Sequence, residues 1–299
     1  MLFGSDAGSR LSHGRMGSQQ YTNPGLKGRL MKIENNEFST LLDPIVELAQ
    51  QAGEAILTVY NSDDFSIKEK DDKSPLTAAD LASHHAIVNG LTALTADIPV
   101  LSEESASLSY AVRSAWQRYW LVDPLDGTRE FIKRNGEFTV NIALIDAGVP
   151  VLSVVYVPVT GVTYMACQGQ GAFKQQPGGP RQAIRVRKLG DGPVMVVGSR
   201  SHRGESLNNF LDKLGEHDMV GMGSSLKLCL VAEGAADIYP RLGPTSEWDT
   251  AAAQCVVEQA GGFVTDTAMK PLRYNTKDSL LNPFFLVFGD ASRDWSRYL

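Results

Sequence analysis

The order of strand-like and helix-like segments is the feature that most constrains how this chain can fold. Apolar residues recur at strand spacing in four successive segments, at 119–122, 138–145, 151–159 and 162–166. In the second segment, Thr139, Asn141 and Ala143 alternate with apolar neighbours, which is the period of a pleated strand. Successive strands with short connections predict a system of hairpins, and with helices before them an α+β arrangement.

Helix-like segments precede these strands. Apolar residues from 41 to 60 recur at helical spacing, and "TAADLASHHAIVNGLTAL" predicts a second helix with Thr77 near its start and Asp80 in its first turns. The charged segment 61–75 between them predicts a hairpin or a mobile loop. The segment "IPVLSEE" then predicts a short buried strand with Glu103 and Glu104 at its end.

The pattern changes beyond the Gly/Pro-rich turn "QQPGGPRQ" at 175–182. Strand-like segments ("PVMVVGSR", "ADIYP", "GFVTD" and "FFLVFGD") now alternate with helix-like ones, which predicts an α/β arrangement. We therefore predict an N-terminal α+β domain at 31–175 and a C-terminal α/β domain at 176–299. Residues 1–30 are rich in Gly, Ser and Arg and predict a disordered extension or tag.

The composition is that of an acidic globular protein. The 299 residues are 43% hydrophobic and carry a formal net charge of −6, which gives no bulk attraction to nucleic acids. No apolar run approaches the roughly 18 residues of a transmembrane segment. The three cysteines form no CxxC pair and lie in apolar stretches, which is typical of buried free thiols in a reducing cytoplasm.

Acidic residues stand where apolar segments end or helices begin: Asp80, Glu103, Asp123, Asp126 and Asp249. Any one of them alone is typical of a helix cap or a solvated turn. As a set they match the preference of hard divalent cations for carboxylate oxygens.

The segment "WLVDPLDGTREF" concentrates this signal. Its proline favours an extended Asp123, so one tight turn can direct Asp123, Asp126 and the Leu125 carbonyl to neighbouring points. Gly127 lets an anion approach the backbone, and the Thr128 hydroxyl can bond a phosphate oxygen or a water. Metal ligands beside an anion site indicate phosphoryl transfer.

These motifs resemble a known family. "DPLDGTREF", with "LSEES" before it and "EWDTAAA" after it, is similar to the inositol monophosphatase superfamily of lithium-sensitive, magnesium-dependent phosphatases, over about residues 40–290. "SPLTAAD", "VGSRSH" and "GSSLKLCLVAEGAADIYPRLGPTSEWDTAA" resemble in particular the CysQ-type bacterial 3′(2′),5′-bisphosphate nucleotidases. The resemblance implies a layered α-β-α-β-α sandwich and release of phosphate from adenosine 3′,5′-bisphosphate, a by-product of sulfate assimilation, to give AMP.

The resemblance also implies roles for the acidic residues, with two or three Mg²⁺ ions. Glu103, Asp123 and the Leu125 carbonyl match ligands of the first ion, and Asp123, Asp126 and Asp249 those of the second. Asp80 matches a residue that holds a further ion or its waters.

Two threonines complete the implied catalytic set of Thr77, Asp80, Glu103 and Thr128. Thr77 is placed to orient the attacking water, and Gly127 with Thr128 matches the seat of the reacting phosphate.

Further residues are expected to bind the rest of the nucleotide. Ser224, Ser225 and Lys227 at a helix start suit the ribose or the 5′-phosphate, and Tyr239 and Arg241 precede Asp249. Simpler interpretations stay open, because Lys227 is also typical of a solvated helix face and Arg241 of a surface ion pair.

The segment "GSRSH" follows a strand, and its Ser199 and His202 are expected to line the base pocket. An ordinary loop histidine is the simpler interpretation of His202.

Alternative functions remain at this point. An inositol monophosphatase or sugar bisphosphatase uses the same chemistry on another alcohol, and a non-catalytic phosphonucleotide-binding sensor is a different class. Adenylyl-sulfate 3′-phosphate is a second possible substrate, and the protein is expected to be a monomer or a homodimer. The resemblance also leaves peripheral association with the inner face of the cell membrane open.

Overall fold

The structure is a computed structural model that describes residues 38–62, 68–69, 75–199 and 204–299. The predicted extension at 1–30 and His202 lie outside the described residues. The helices are α1 (Ser39–Tyr60), α2 (Ala78–Leu94), α3 (Tyr110–Arg113), α4 (Thr128–Ile132), α5 (Glu205–Leu214), α6 (Leu226–Ala232) and α7 (Ala251–Gln259). Short 3₁₀ helices span Glu103–Ser105 and Trp295–Tyr298.

The strands form two sheets and a small two-stranded pair. They are β1 (Lys68–Glu69), β2 (Pro75–Leu76), β3 (Val100–Ser102), β4 (Arg118–Asp126), β5 (Thr139–Asp146), β6 (Val149–Val157), β7 (Val162–Cys167), β8 (Gly171–Gln175), β9 (Arg181–Ile184), β10 (Val194–Ser199), β11 (His217–Met222), β12 (Ile238–Arg241), β13 (Phe263–Asp266) and β14 (Phe285–Phe288).

The first sheet has seven strands in the order β3-β4-β5-β6-β7-β8-β9. Its β3 and β4 are parallel, and all later neighbours are antiparallel, as the predicted hairpins require. The second sheet has the order β11-β10-β12-β14-β13, with parallel pairing on both sides of β10 and antiparallel pairing around β14. β1 and β2 pair as the hairpin predicted within 61–75.

The period-two alternation of β4 divides the core into layers. Trp120 and Val122 pack in the cluster that α1 and α2 form on one face of the first sheet. Tyr119 and Leu121 pack on the opposite face, with α6, α7 and the inner face of the second sheet. α5 packs on the outer face of the second sheet. The predicted α-β-α-β-α sandwich is thereby confirmed.

Three strands, β8, β9 and β11, were not predicted. β9 follows the turn at 176–180 and pairs with β8, so the first sheet continues past the predicted boundary at 175/176. That division of the chain into domains stays a prediction. β11 is partly exposed at the edge of the second sheet, so its sequence, "HDMVGM", lacks a clear apolar alternation.

Other expectations from composition have a structural counterpart. Cys167, Cys229 and Cys255 are all buried free thiols, as predicted. In the part of the chain that the structure describes, no helix combines the length and the apolar character needed to cross a bilayer.

Candidate metal centre

A β-bulge brings Asp123 and Asp126 to the same face of the first sheet. Residues three apart in a regular strand point to opposite faces. In the pairing of β4 with β5, however, Asp123 faces Asn141 and Asp126 faces Thr139, so β4 carries one extra residue over this stretch. The sequence predicted a turn after residue 122, but the strand continues through Asp126 and the bulge performs the geometric role expected of the turn.

The bulge is held by hydrogen bonds on both sides. The Leu125 N–H donates to Asp123 Oδ1 at 3.0 Å, and the buried Ser83 hydroxyl of α2 donates to the Pro124 carbonyl at 2.7 Å. These contacts fix the peptide between Pro124 and Leu125, directly before the Leu125 carbonyl that was predicted as a metal ligand.

Asp249 completes a cluster of carboxylates. Asp123, Asp126 and Asp249 each offer an oxygen within 4.8 Å of the others. Asp123 is only 1% exposed, whereas the other two are partly exposed. Asp249 lies just before α7, where the Ser246 N–H donates to its Oδ2 at 2.9 Å. The structure therefore unites three of the five predicted acidic residues at one point.

Glu103, a further predicted ligand, lies directly after the strand beside this cluster. Glu103 begins the 3₁₀ helix directly after β3, and Ser102 is in register with Val122 of the parallel β4. Glu103 therefore follows the end of β3 at the level of Asp123 in the neighbouring β4.

The electrostatics of the cluster call for a cation. Burial, followed by the charges of Asp126 and Glu103, raises the pKa of Asp249 to about 8. Desolvation also raises the pKa of Asp126, although Lys227 and the Ser225 N–H act in the opposite direction. Crowded, partly buried carboxylates of this kind fit a hard divalent cation, which would compensate their charge.

Asp80 belongs to a second group with the two predicted threonines. Thr77 is the N-cap of α2, and a capping box forms because Asp80 Oδ2 accepts from the Thr77 N–H at 2.8 Å. The same oxygen accepts from the Thr77 hydroxyl at 2.6 Å, and Asp80 Oδ1 accepts from the Thr128 hydroxyl at 3.4 Å. Thr77, Asp80 and Thr128 thus lie together as predicted, on the α2 side of the bulge.

A cleft of about 620 Å³ adjoins the cluster. Asp126 and Asp249 line it, together with most of the predicted substrate residues: Gly127, Ser199, Ser224, Ser225, Lys227, Tyr239 and Arg241. Gly127 has a φ of 97°, a left-handed conformation that glycine adopts without steric cost.

Lys227 and Arg241 are the cations of this cleft. Lys227 Nζ donates to the Ser224 carbonyl at 2.6 Å and lies 5.7 Å from the centroid of the Tyr239 ring, so it is not a solvated helix residue. Arg241 donates to Thr245 Oγ1 and to the Pro244 carbonyl. Burial lowers the pKa of Lys227, Asp126 opposes this, and the nearby charge of Arg241 lowers it again. An anion beside both cations would relieve their repulsion.

Sequence reasoning missed several residues of the site. Glu130 and Thr245 line the cleft. Thr139 and Asn141 of β5 stand opposite the metal-ligand candidates of β4. The signal for the last two was present, because they are polar residues in alternation with apolar ones. It was ambiguous, since such a pattern usually indicates a solvent-exposed face.

Comparisons with known proteins converge on one family. A family model described as the inositol monophosphatase family matches residues 37–287. The 3′(2′),5′-bisphosphate nucleotidase CysQ of Escherichia coli (strain K12) is 54% identical over 248 residues, which are 83% of this chain and 99% of that protein. The CysQ nucleotidase of Haemophilus influenzae is 39% identical, over 85% of this chain and 95% of its own length.

Solved structures agree. The crystal structure of CysQ from Bacteroides thetaiotaomicron, a bacterial member of the inositol monophosphatase family, superposes with a TM-score of 0.76 at 42% identity and covers 87% of this chain and 100% of that one. The extragenic suppressor protein suhB from Bartonella henselae gives a TM-score of 0.72 at 26% identity, with 87% and 98% covered.

Proposed function

Because the chain belongs to the inositol monophosphatase family, we propose that it is a metal-dependent 3′(2′),5′-bisphosphate nucleotidase, a phosphoric monoester hydrolase. It hydrolyses the 3′-phosphate of adenosine 3′,5′-bisphosphate and releases AMP and phosphate. The relatives of that name cover most of the chain at up to 54% identity. The observation that carries the proposal is the cleft, which presents Asp126 and Asp249 of the carboxylate cluster together with Lys227 and Arg241. A bisphosphate needs both: a metal centre for one phosphate and cations for the other.

The metal in this proposal is Mg²⁺, and the site holds two or three ions. Its ligands are Asp123, Asp126, Asp249, Glu103 and the Leu125 carbonyl. Carboxylate and carbonyl oxygens are the donors that hard cations prefer. When bound, Mg²⁺ supplies positive charge that offsets the negative charge of the transferring phosphoryl group.

The threonine pair beside Asp80 orients the attacking water. Thr77 and Thr128 both direct their hydroxyl protons to the Asp80 carboxylate. Their oxygens can therefore accept hydrogen bonds from a water, and two such acceptors define its orientation. The water oxygen bonds to the 3′-phosphorus and the bond from phosphorus to ribose O3′ breaks. One of the two water protons ends on O3′, and the other stays on the released phosphate.

The remaining nucleotide lies along the cleft. Lys227 and Arg241 bind the 5′-phosphate by charge-assisted hydrogen bonds, Gly127 and Thr128 receive the 3′-phosphate, and Ser224 contacts the ribose. Tyr239 is packed under the Lys227 ammonium and holds it in place.

Two of the predicted substrate residues, Ser225 and Ser199, have other roles in this proposal. The Ser225 hydroxyl is 2% exposed and donates to Asn141 Oδ1, so in this proposal it supports the site and does not touch the substrate. Ser199 lines the cleft at the end of β10 and remains our candidate for the base pocket, with His202.

A substrate panel tests the proposal. Phosphate release from adenosine 3′,5′-bisphosphate, adenylyl-sulfate 3′-phosphate, inositol 1-phosphate and fructose 1,6-bisphosphate is measured during a Mg²⁺ titration. We expect Mg²⁺-dependent activity with the highest kcat/KM for a 3′-phosphorylated nucleotide. Better hydrolysis of the inositol or sugar ester would assign the chain to another branch of the family. Nucleotide binding without phosphate release would identify a sensor.

We also propose that the enzyme acts in the cytoplasm, because its three thiols are buried and unpaired in the structure. A thiol titration of the denatured protein purified from cells under alkylating conditions should find three free groups, and disulfide-linked forms would contradict this.

A further inference from the structure

Two buried polar residues of β5 have no part in the mechanism described above. Thr139 is 0% exposed and Asn141 is 1% exposed. They face Asp126 and Asp123, respectively, across the bulge. The next residues on the same face of the strand, Ala143 and Ile145, are apolar and pack between the sheets. The polar residues of this face are therefore located next to the carboxylate cluster, where an ordinary core strand would carry apolar side chains.

Hydrogen bonds join these residues to the cluster and to the cleft. Asn141 Nδ2 donates to Asp126 Oδ2 at 3.4 Å, and the Ser225 N–H, just before α6, donates to the same oxygen. The Ser225 hydroxyl donates to Asn141 Oδ1 at 2.9 Å. The Thr139 and Ser225 hydroxyl oxygens are 2.9 Å apart.

The direction of each hydrogen bond in this network follows from counting the available protons. A hydroxyl has one proton, and Ser225 uses its proton on Asn141 Oδ1. Thr139 must then be the donor to Ser225 Oγ. Each proton thus points one step closer to the carboxylate, in the order Thr139, Ser225, Asn141, Asp126. Hydrogen bonds aligned in one direction polarise one another, so the last donor is strengthened by those before it.

We propose that Asn141 is a positioning residue for the metal ligand Asp126, and that Thr139 and Ser225 hold Asn141 in the orientation this requires. Both donors engage Oδ2 of Asp126, which would leave Oδ1 for a metal ion. Because Ser225 also belongs to the wall of the cleft, the same network sets the distance between the metal centre and the α6 end that carries Lys227. This inference rests on the proposed function, since it takes Asp126 as a metal ligand.

The expected effect on Mg²⁺ affinity can be taken from other metal sites. Removal of a hydrogen-bond partner that orients a metal ligand typically lowers metal affinity or activity by about 10- to 100-fold. Asn141→Ala removes the donor and should weaken Mg²⁺ binding by that factor.

Two substitutions at Thr139 distinguish the contribution of its hydroxyl group from that of its packing. Thr139→Val keeps the shape and deletes the donor to Ser225, whereas Thr139→Ser keeps the donor and deletes a methyl group. If the hydrogen bond matters, Thr139→Val should weaken Mg²⁺ binding several-fold and Thr139→Ser should not. Thr163→Val is the matched control, because Thr163 is equally buried in β7 of the same sheet but does not line the cleft.

The experiment uses the full chain and measures three quantities for each variant. Mg²⁺ affinity is determined by isothermal titration calorimetry without substrate, kcat and KM are determined at several Mg²⁺ concentrations, and Tm is determined without metal. The expected result is a weaker calorimetric affinity and a higher Mg²⁺ concentration for half-maximal rate in Asn141→Ala and Thr139→Val, with wild-type values in Thr139→Ser and Thr163→Val.

A purely structural role gives a different pattern. Tm would fall in Asn141→Ala and Thr139→Val while Mg²⁺ affinity in the folded protein stayed at the wild-type value, and that result would overturn the proposal. If Asn141→Ala does not fold, the Thr139 pair decides alone: equal Mg²⁺ affinity in Thr139→Val and Thr139→Ser overturns it. The calorimetric measurement needs no substrate, so an error in the proposed substrate would show in the wild-type activity and leave this comparison intact.

Discussion

In metal-free protein, the Asp249 carboxylate is expected to destabilise the fold at pH 8. Burial, and then the charges of Asp126 and Glu103, raises the pKa of Asp249 from 3.8 to about 8. The unfolded chain releases this proton near the lower value and the folded chain near the higher one. Since the folded state binds the extra proton between these values, the free energy of unfolding falls as the pH rises from about 4 to about 8.

The size of this effect follows from the pKa change. At about 1.36 kcal/mol for each unit of pKa, the change sets an upper bound of about 6 kcal/mol at pH 8 and above. The Asp249 side chain is partly exposed, and water screens its interaction with the neighbouring acids. We therefore expect about 2 kcal/mol, which corresponds to roughly 3–4 °C in Tm for a protein of this size.

Asp249→Asn tests this magnitude, because it removes the charge and leaves an oxygen that can still accept from the Ser246 N–H. After dialysis against EDTA, calorimetry at pH 5 and pH 8 should show a variant more stable than wild type, by a margin that grows with pH. Mg²⁺ should reverse the order by stabilising wild type alone. Asp212→Asn, an exposed residue of α5, is the control for loss of charge. A difference in Tm that does not grow between pH 5 and pH 8 would refute the reasoning.

Three further results are expected. Asp126→Asn should lower kcat by at least about 100-fold with a circular dichroism spectrum like that of wild type, because it removes ligand charge without removing core packing; a wild-type kcat would contradict the ligand assignment. Lys227→Ala should lower kcat/KM for adenosine 3′,5′-bisphosphate by about 10- to 100-fold, the value of a charged hydrogen bond, and change that for 3′-AMP much less, with Lys213→Ala on α5 as control; equal losses for both substrates would contradict the 5′-phosphate contact. Li⁺ at millimolar order should inhibit phosphate release in the presence of Mg²⁺, as the family resemblance implies, and an insensitive enzyme would count against a shared metal site.

The sequence was informative where the signal is local. The start of α2 was predicted from Thr77 and Asp80, and the capping box forms between these two residues. The helix at 41–60 and the strands β4 to β7 were predicted from periodicity, which reports how each segment meets the core. The five acids were recognised because each stands where an apolar segment ends or a helix begins, and three of them lie within one cluster.

The features that were missed depend on pairing between distant segments. β11 is a strand because β10 offers it a parallel edge, and nothing in "HDMVGM" indicates this partner. β9 joins the first sheet through β8 across a turn that resembles a linker in composition. Propensity and periodicity describe one segment at a time, so they cannot identify the strand that supplies the other half of a ladder.

The metal centre itself illustrates the same limit. Asp123 and Asp126 are three residues apart, a spacing that in a regular strand separates their side chains to opposite faces of the sheet. One extra residue in β4 relative to β5 brings both acids to one face, and it also sets Asn141 and Thr139 opposite them. The motif alone therefore identifies the acids but does not determine their geometry. That geometry comes from the register with β5, and this is why we expect substitutions in β5, a strand without a predicted ligand, to alter the affinity for Mg²⁺.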